Sequence, residues 1–176
     1  MGDLFSDVLR DALGVDVFLL GSGSIRTEQL GPIVTKGDLN ECFPYDDAVH
    51  AVYMTGAQLK HALLRMLRDE ALAGAHTEFY QLSHGLEVEY DQATHSFAKF
   101  DYEGAPIDEN HVFSVGLQHF HFQNMEDAFD LKLEDLRENH HERTVSTSCT
   151  DIIEEVLLTG QHQDATGKGR LIIHEA

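Results

Sequence analysis

Val15-Asp16-Val17-Phe18-Leu19-Leu20-Gly21-Ser22-Gly23-Ser24-Ile25-Arg26 decides how this chain is read: a mostly apolar run stops at a glycine-rich turn that one arginine closes. Such a run, bounded by glycines, predicts a buried strand over residues 15–20. The turn brings flexible backbone and one positive charge to the strand's end, where an anionic small molecule can be held. Downstream, Phe43-Pro44-Tyr45 makes a corner with an aromatic face. A guanidinium that pairs with phosphate or ribose oxygens, beside a ring that stacks on a base, is what a nucleotide requires. The spacing alone fits a tight turn with a core aromatic equally well, because neither the P-loop nor the dinucleotide pattern is met.

Working outward, residues 48–54 alternate as a second strand, and Thr55-Gly56-Ala57-Gln58 has the form of a capping box. Leu59, Ala62, Leu63, Met66 and Leu67 supply the apolar stripe of the helix it opens, which ends before Gly74. Ile33-Val34 reads as a short extended piece, and Thr35 caps a small helix over residues 36–42. Near the N-terminus Leu4, Phe5, Val8, Leu9 and Ala12 recur on one helical face. A helix that starts almost at Met1 leads us to expect that a preceding segment has been cut away.

From Phe79 the period changes to two, predicting strands over residues 79–82, 86–90, 97–102 and 112–117 in a largely antiparallel region. Residues 120–129 read as an aromatic, histidine-bearing loop, residues 151–158 as a helix, and residues 171–173 as a closing edge strand. The expected class is α+β, a mixed β-sheet with flanking helices.

The length of 176 residues fits one domain over 1–176. No stretch approaches the roughly 18 apolar residues of a membrane span. Residues 1–13 are acidic and amphipathic where an export signal is basic and then apolar. A soluble chain is expected, and its compartment is left open. With 31 Asp and Glu against 12 Lys and Arg, the net charge of −19 repels polyanions and argues against nucleic-acid or anionic-membrane partners. Cys42 and Cys149 have neither zinc spacing nor the makings of a disulfide framework.

The order of these pieces resembles the C-terminal, substrate-binding domain of the 5′-nucleotidase family. Gly2-Asp3-Leu4 with Asp7, Leu9, Arg10 and Ala12 is similar to that family's Gly-Asn-Leu helix, and residues 15–26 to its strand followed by Asn-x-Gly-Gly-Ile-Arg. Gly31-Pro32-Ile33, Gly37-Asp38-Leu39, Phe43-Pro44-Tyr45 and Thr55-Gly56-Ala57-Gln58-Leu59 repeat its Gly-x-Ile, Asp-Leu, Leu-Pro-Phe and Thr-Gly-x-x-Leu blocks in order. Residues 79–90 are similar to its Phe-Leu-Gln-Val-Ser-Gly-Leu stretch, and Gly169-Arg170-Leu171 to its closing Gly-Arg-Ile. No single block is specific, but their order is.

The resemblance implies a division of labour. In that family an N-terminal metallophosphoesterase domain holds two divalent metals and the catalytic Asp-His pair, and the C-terminal domain binds the nucleoside part. This chain has no counterpart of the first domain, so it is expected to carry no catalytic residue and no metal ligand of its own. Its expected partners are a nucleotide or nucleoside and that N-terminal domain of the same protein. Arg26 matches the arginine that reaches phosphate and ribose, in a turn formed by Gly21 and Gly23. Tyr45 matches the first of two aromatics that sandwich the base, and Phe120 the second.

Two positions depart from the pattern. The asparagine that hydrogen-bonds the base is Gly21, and the Asn-Gly-Gly-Asp-Gly turn after the second aromatic has become His121-Phe122-Gln123-Asn124-Met125-Glu126-Asp127-Ala128. Asp127 or Glu126 takes the place of the aspartate that meets the ribose hydroxyls.

Other groupings are weaker. If extended, residues 119–121 place His119 and His121 on one face, but no carboxylate or cysteine sits at a spacing that completes a metal site. His140-His141 falls in a charged stretch and reads as solvated loop, while Asp46-Asp47 either meets a sugar hydroxyl or caps a turn. No serine shows a nucleophile elbow. Beside the leading reading stand a nucleotide-sensing module without hydrolase partner, and a purely structural role in which Tyr45 and Phe120 are packing residues.

Overall fold

The computed structural model, which describes residues 1–160 and 169–175, sets β1 (Val17–Gly21) behind the amphipathic α1 (Gly2–Leu13). A 3-10 turn (Ser22–Ser24) follows, then α2 (Lys36–Cys42), β2 (Val49–Thr55), α3 (Gly56–Met66) and α4 (Asp69–Leu72). Strands β3 (Tyr80–Leu82), β4 (Leu86–Asp91), β5 (Ser96–Tyr102), β6 (Ala105–Pro106) and β7 (Val112–Gln118) come next. The chain then runs through α5 (His119–Gln123), α6 (Met125–Phe129), α7 (Leu133–Leu136), β8 (Arg143–Ser146), α8 (Cys149–Leu158) and β9 (Leu171–His174). The α+β class is as expected, with two mixed sheets and flanking helices.

One sheet has the order β3-β1-β7-β2-β8 and the other β6-β5-β4-β9. The alternation of side chains along a strand explains why β1 is buried throughout. Val17 and Leu19 face a core shared with α3, α6 and the second sheet, whereas Phe18 and Leu20 face a second core under α1, α2 and α8. The same parity splits β2, with Val52 and Met54 in the first core and Val49 and Ala51 in the second. Gly116 of β7 is bare because a Cβ there would lie 2.5 Å from the Phe18 ring.

The largely antiparallel region expected over residues 79–117 is not one region. Its strands divide between the two sheets, β1 runs parallel to β7, and β9 closes the second sheet parallel to β4. Residues 120–129 are not a loop either, since they fold into α5 and α6. Ile33-Val34 lies in irregular, exposed chain. Among the described residues no helix is long and apolar enough to cross a membrane.

Both capping boxes form as the sequence dictates. The Thr35 side chain accepts from Asp38 N at 3.2 Å, and Thr55 Oγ1 accepts from Gln58 N at 3.2 Å while Gln58 Oε1 accepts from Thr55 N at 2.9 Å. Each satisfies donors that a helix start otherwise leaves unpaired. Thr55→Ala is therefore expected to cost about 1 kcal/mol, read as a fall of roughly 2–4 °C in a thermal melt.

Candidate functional site

Because β1 and β7 are parallel while β2 and β3 run against them, one end of the larger sheet gathers four chain passages. There β1 gives way to the glycine turn, β7 ends at Gln118, and β2 and β3 begin. A cleft of about 630 Å³ opens at this end, and Arg26, Tyr45, Phe120, Glu78, Gln118 and His121 are among its lining residues. Crevices at the carboxyl ends of parallel strands are where α/β sheets bind small molecules. A larger groove of about 710 Å³ is framed by α1, α2 and α8, but its Lys36 and Glu154 pair with each other at 2.7 Å and its wall is otherwise mostly apolar.

The arginine and the first aromatic are brought together by the backbone. Arg26 N donates to Cys42 O at 2.7 Å, which lays the end of the glycine turn against the end of α2. Phe43 is buried edge-on to Phe5, so the corner is pinned and Tyr45 projects outward. The Arg26 guanidinium lies 5.2 Å from the Tyr45 ring centroid and donates to the Tyr45 hydroxyl. A planar cation held by both ring and hydroxyl is preorganised to meet an anionic or oxygen-rich ligand.

Phe120 sits in the first turn of α5, where its N–H donates to Asp47 Oδ2 at 2.8 Å. Asp46 likewise accepts from Ser148 Oγ at 2.7 Å at the start of α8. Of the two roles open to Asp46-Asp47, the structure displays the capping one, and Asp47 thereby fixes where Phe120 points. Tyr45 is 46% exposed and Phe120 60% exposed, whereas buried aromatics such as Phe18 and Phe129 are fully covered. Two large rings left in water at the mouth of one cleft are unusual for core residues.

The other sequence-derived positions fall differently. Gly23 lines the cleft, but its N–H is taken by Glu78 Oε1 at 3.1 Å, so the turn donates to a carboxylate of the chain itself. Gly21 ends β1, and a Cβ there would lie 2.1 Å from His121 Nε2 and 2.4 Å from His121 Cε1. His121 therefore fills the space a side chain at position 21 would need. Asp127 and Glu126 are exposed on α6 and are not among the residues that line the cleft, whose carboxylates are Asp46, Asp47 and Glu78. Glu78, Gln118 and Tyr80 carry no motif, and sequence reasoning missed them. The available signal was indirect: a glycine and a histidine both out of pattern.

The shared face expected for His119 and His121 does not exist, because α5 turns them apart. His119 Nδ1 meets His50 Nε2 at 2.8 Å, with His50 stacked on Phe122 at 4.3 Å, while His121 Nδ1 lies 3.1 Å from the Tyr80 hydroxyl. His140 is exposed and meets the Tyr53 ring edge-on. Among the described residues no three His, Cys, Asp or Glu come together to hold a metal ion.

Burial holds the His50 and His121 imidazoles below the ordinary histidine value, His50 further through His119, and His121 against the opposing pull of Glu78 and Asp47. A histidine whose folded pKa is depressed stabilises the fold above its unfolded value near 6.5, and that contribution is lost as pH falls through the folded value. Stability is thus expected to fall more between pH 7.5 and 5.5 in the native chain than in His50→Gln, as read by denaturant titration.

The model of the 5′-nucleotidase C-terminal domain matches residues 1–131. The chain belongs to that family. No curated protein matches it by sequence. Among solved structures, the 5′-nucleotidase precursor of Thermus thermophilus is similar with a TM-score of 0.75 at 23% identity, over 98% of this chain and 34% of that one. The NAD nucleotidase NadN of Haemophilus influenzae superposes with a TM-score of 0.72 at 14% identity, over 98% of this chain and 33% of that one. The sulfate thiohydrolase SoxB of Thermus thermophilus gives 0.66 at 14%, over 97% and 31%. This 5′-nucleotidase C-terminal domain thus spans about a third of each of those chains. At such identities the likeness concerns the fold, and the activities by which those proteins are named differ from one to the next.

Proposed function

We propose that this domain recognises the nucleoside part of a substrate for a 5′-nucleotidase-like phosphoric-ester hydrolase. The observation that carries the reading is the convergence of two exposed rings, Tyr45 and Phe120, and the Arg26 guanidinium on one cleft. Every base has a π-face, so two rings hold it with little regard to sequence, while the guanidinium meets ribose or phosphate oxygens. Gly21 and Gly23 keep the turn beside that guanidinium slim. Asp46, Asp47 and Glu78 make the cleft acidic apart from Arg26, which suits sugar hydroxyls better than a free phosphate.

In this reading the phosphate is held elsewhere, by two divalent metals in a metallophosphoesterase domain of the same protein. Bound there, such metals lower the pKa of a water and neutralise charge on the phosphoryl group. The residues of this chain stack, orient and desolvate. Incubated with AMP and Mn²⁺, Zn²⁺ or Co²⁺, the purified chain is expected to release no phosphate. Metal-dependent release that is abolished by a substitution within residues 1–176 would overturn the division of labour.

A further inference from the structure

Beneath the mouth of the cleft, the place of a side chain at position 21 is taken by two groups from distant parts of the chain. His121 Nε2 and Glu78 Oε1 both lie within 3 Å of the point that a Gly21 Cβ would occupy. Neither is loosely placed. Glu78 is tied to Gly23 N–H at 3.1 Å, and His121 is buried with Nδ1 3.1 Å from the Tyr80 hydroxyl. Tyr80 is itself fully buried between the His121 and Phe129 rings.

The tautomer follows from the hydrogen count. Burial raises the Tyr80 phenol well above its ordinary value, so it keeps its proton, and a buried O–H left without an acceptor is costly. His121 Nδ1 is the acceptor within reach, which puts the ring proton on Nε2. The floor of the cleft then presents an N–H donor beside a carboxylate acceptor.

We propose that His121 and Glu78 together read the edge of the bound ring, the Nε2–H donating to a ring nitrogen and the Glu78 carboxylate accepting from an adjacent amino group. This pairing favours an aminated heteroaromatic base over its keto counterpart, because a keto oxygen facing Glu78 sets two acceptors against each other. The proposal rests on the nucleoside reading of the cleft and deepens it. It also accounts for the two departures from the family pattern as one exchange: a side chain removed at position 21 and another supplied from α5.

The test compares adenosine with inosine by chemical-shift titration of the native chain, Glu78→Gln and His121→Ala. Native chain is expected to prefer adenosine by about tenfold, the worth of one charge-assisted hydrogen bond. Both variants should bring the ratio towards one while still binding both nucleosides. Glu78→Gln alters a partly exposed side chain without changing its size, so it carries the test if His121→Ala does not fold. A ratio that neither variant moves, or a native ratio near one, overturns this proposal alone. Failure of the native chain to bind either nucleoside overturns the nucleoside reading of the cleft and this proposal with it.

Discussion

Replacing Arg170 with methionine is expected to cost about 3–5 kcal/mol of stability, the usual consequence of leaving one member of a buried ion pair unmatched. Arg170 Nη1 and Nη2 reach the two Asp7 carboxylate oxygens at 2.7 and 2.6 Å, and Nη1 also reaches Leu82 O at 2.8 Å. The side chains are only 16% and 10% exposed, so water does little to compensate. Asp7 accepts in addition from His84 N at 2.7 Å, which makes the pair a junction of α1, the end of β3 and the approach to β9. In a thermal melt the loss should appear as roughly 6–20 °C. Arg170→Lys should recover only part of it, because an ammonium cannot make the two-pronged contact. A drop of about 1 kcal/mol or less for Arg170→Met would mean that the pair behaves as an exposed one.

The second large effect concerns the floor of the cleft. Gly21 has φ −57° and ψ 125°, a conformation open to any residue, so a cost on substitution must come from contact and not from the backbone. In Gly21→Asn the new Cβ would sit 2.1 Å from His121 Nε2, and His121 is held on its other side by Tyr80. Overpacking of this kind is expected to cost about 1–3 kcal/mol. Adding His121→Gly should return much of it, giving a favourable coupling between two residues far apart in sequence. Denaturant titration of both single variants and the double variant reads that coupling directly. Simple additivity of the two changes would show that the ring and the glycine do not share one space.

What the chain disclosed in advance was what is decided locally. The cap at Thr35, the capping box at Thr55 and the apolar stripe from Leu59 to Leu67 are each settled within a few residues and formed where they were read, and the strand expected over residues 15–20 formed two residues later at its start, as Val17–Gly21. The sheet partners were not legible, because β8 and β9 are short and only half-buried, and their pairing with β2 and β4 is fixed by tertiary contact. Residues 119–129 illustrate the same limit. Histidines and phenylalanines in alternation suit an extended chain, yet Asp47, far upstream, supplies the acceptor that opens a helix there. The glycine turn and the Phe-Pro-Tyr corner pointed to Arg26 and Tyr45 before any family block was weighed, whereas Phe120 could be picked out only through the order of those blocks. Glu78 and Gln118 could not, since they reach the cleft from segments without a motif, and the exchange between Gly21 and His121 exists only in three dimensions.

The central claim is that Tyr45 and Phe120 are pocket residues and not core, and adenosine titration of the native chain, Tyr45→Ala and Phe120→Ala, each paired with its thermal melt, tests it most directly. With the phosphate held elsewhere, the native chain should bind in the millimolar range, about 4 kcal/mol, with amide shifts at residues 21–26, 45 and 120. Each alanine variant should lose about 1–3 kcal/mol of that binding, the worth of one stacked ring, while its melting temperature stays close to native. Stability losses of about 3–5 kcal/mol with unchanged adenosine affinity would contradict the account, because that is how truncated core aromatics behave.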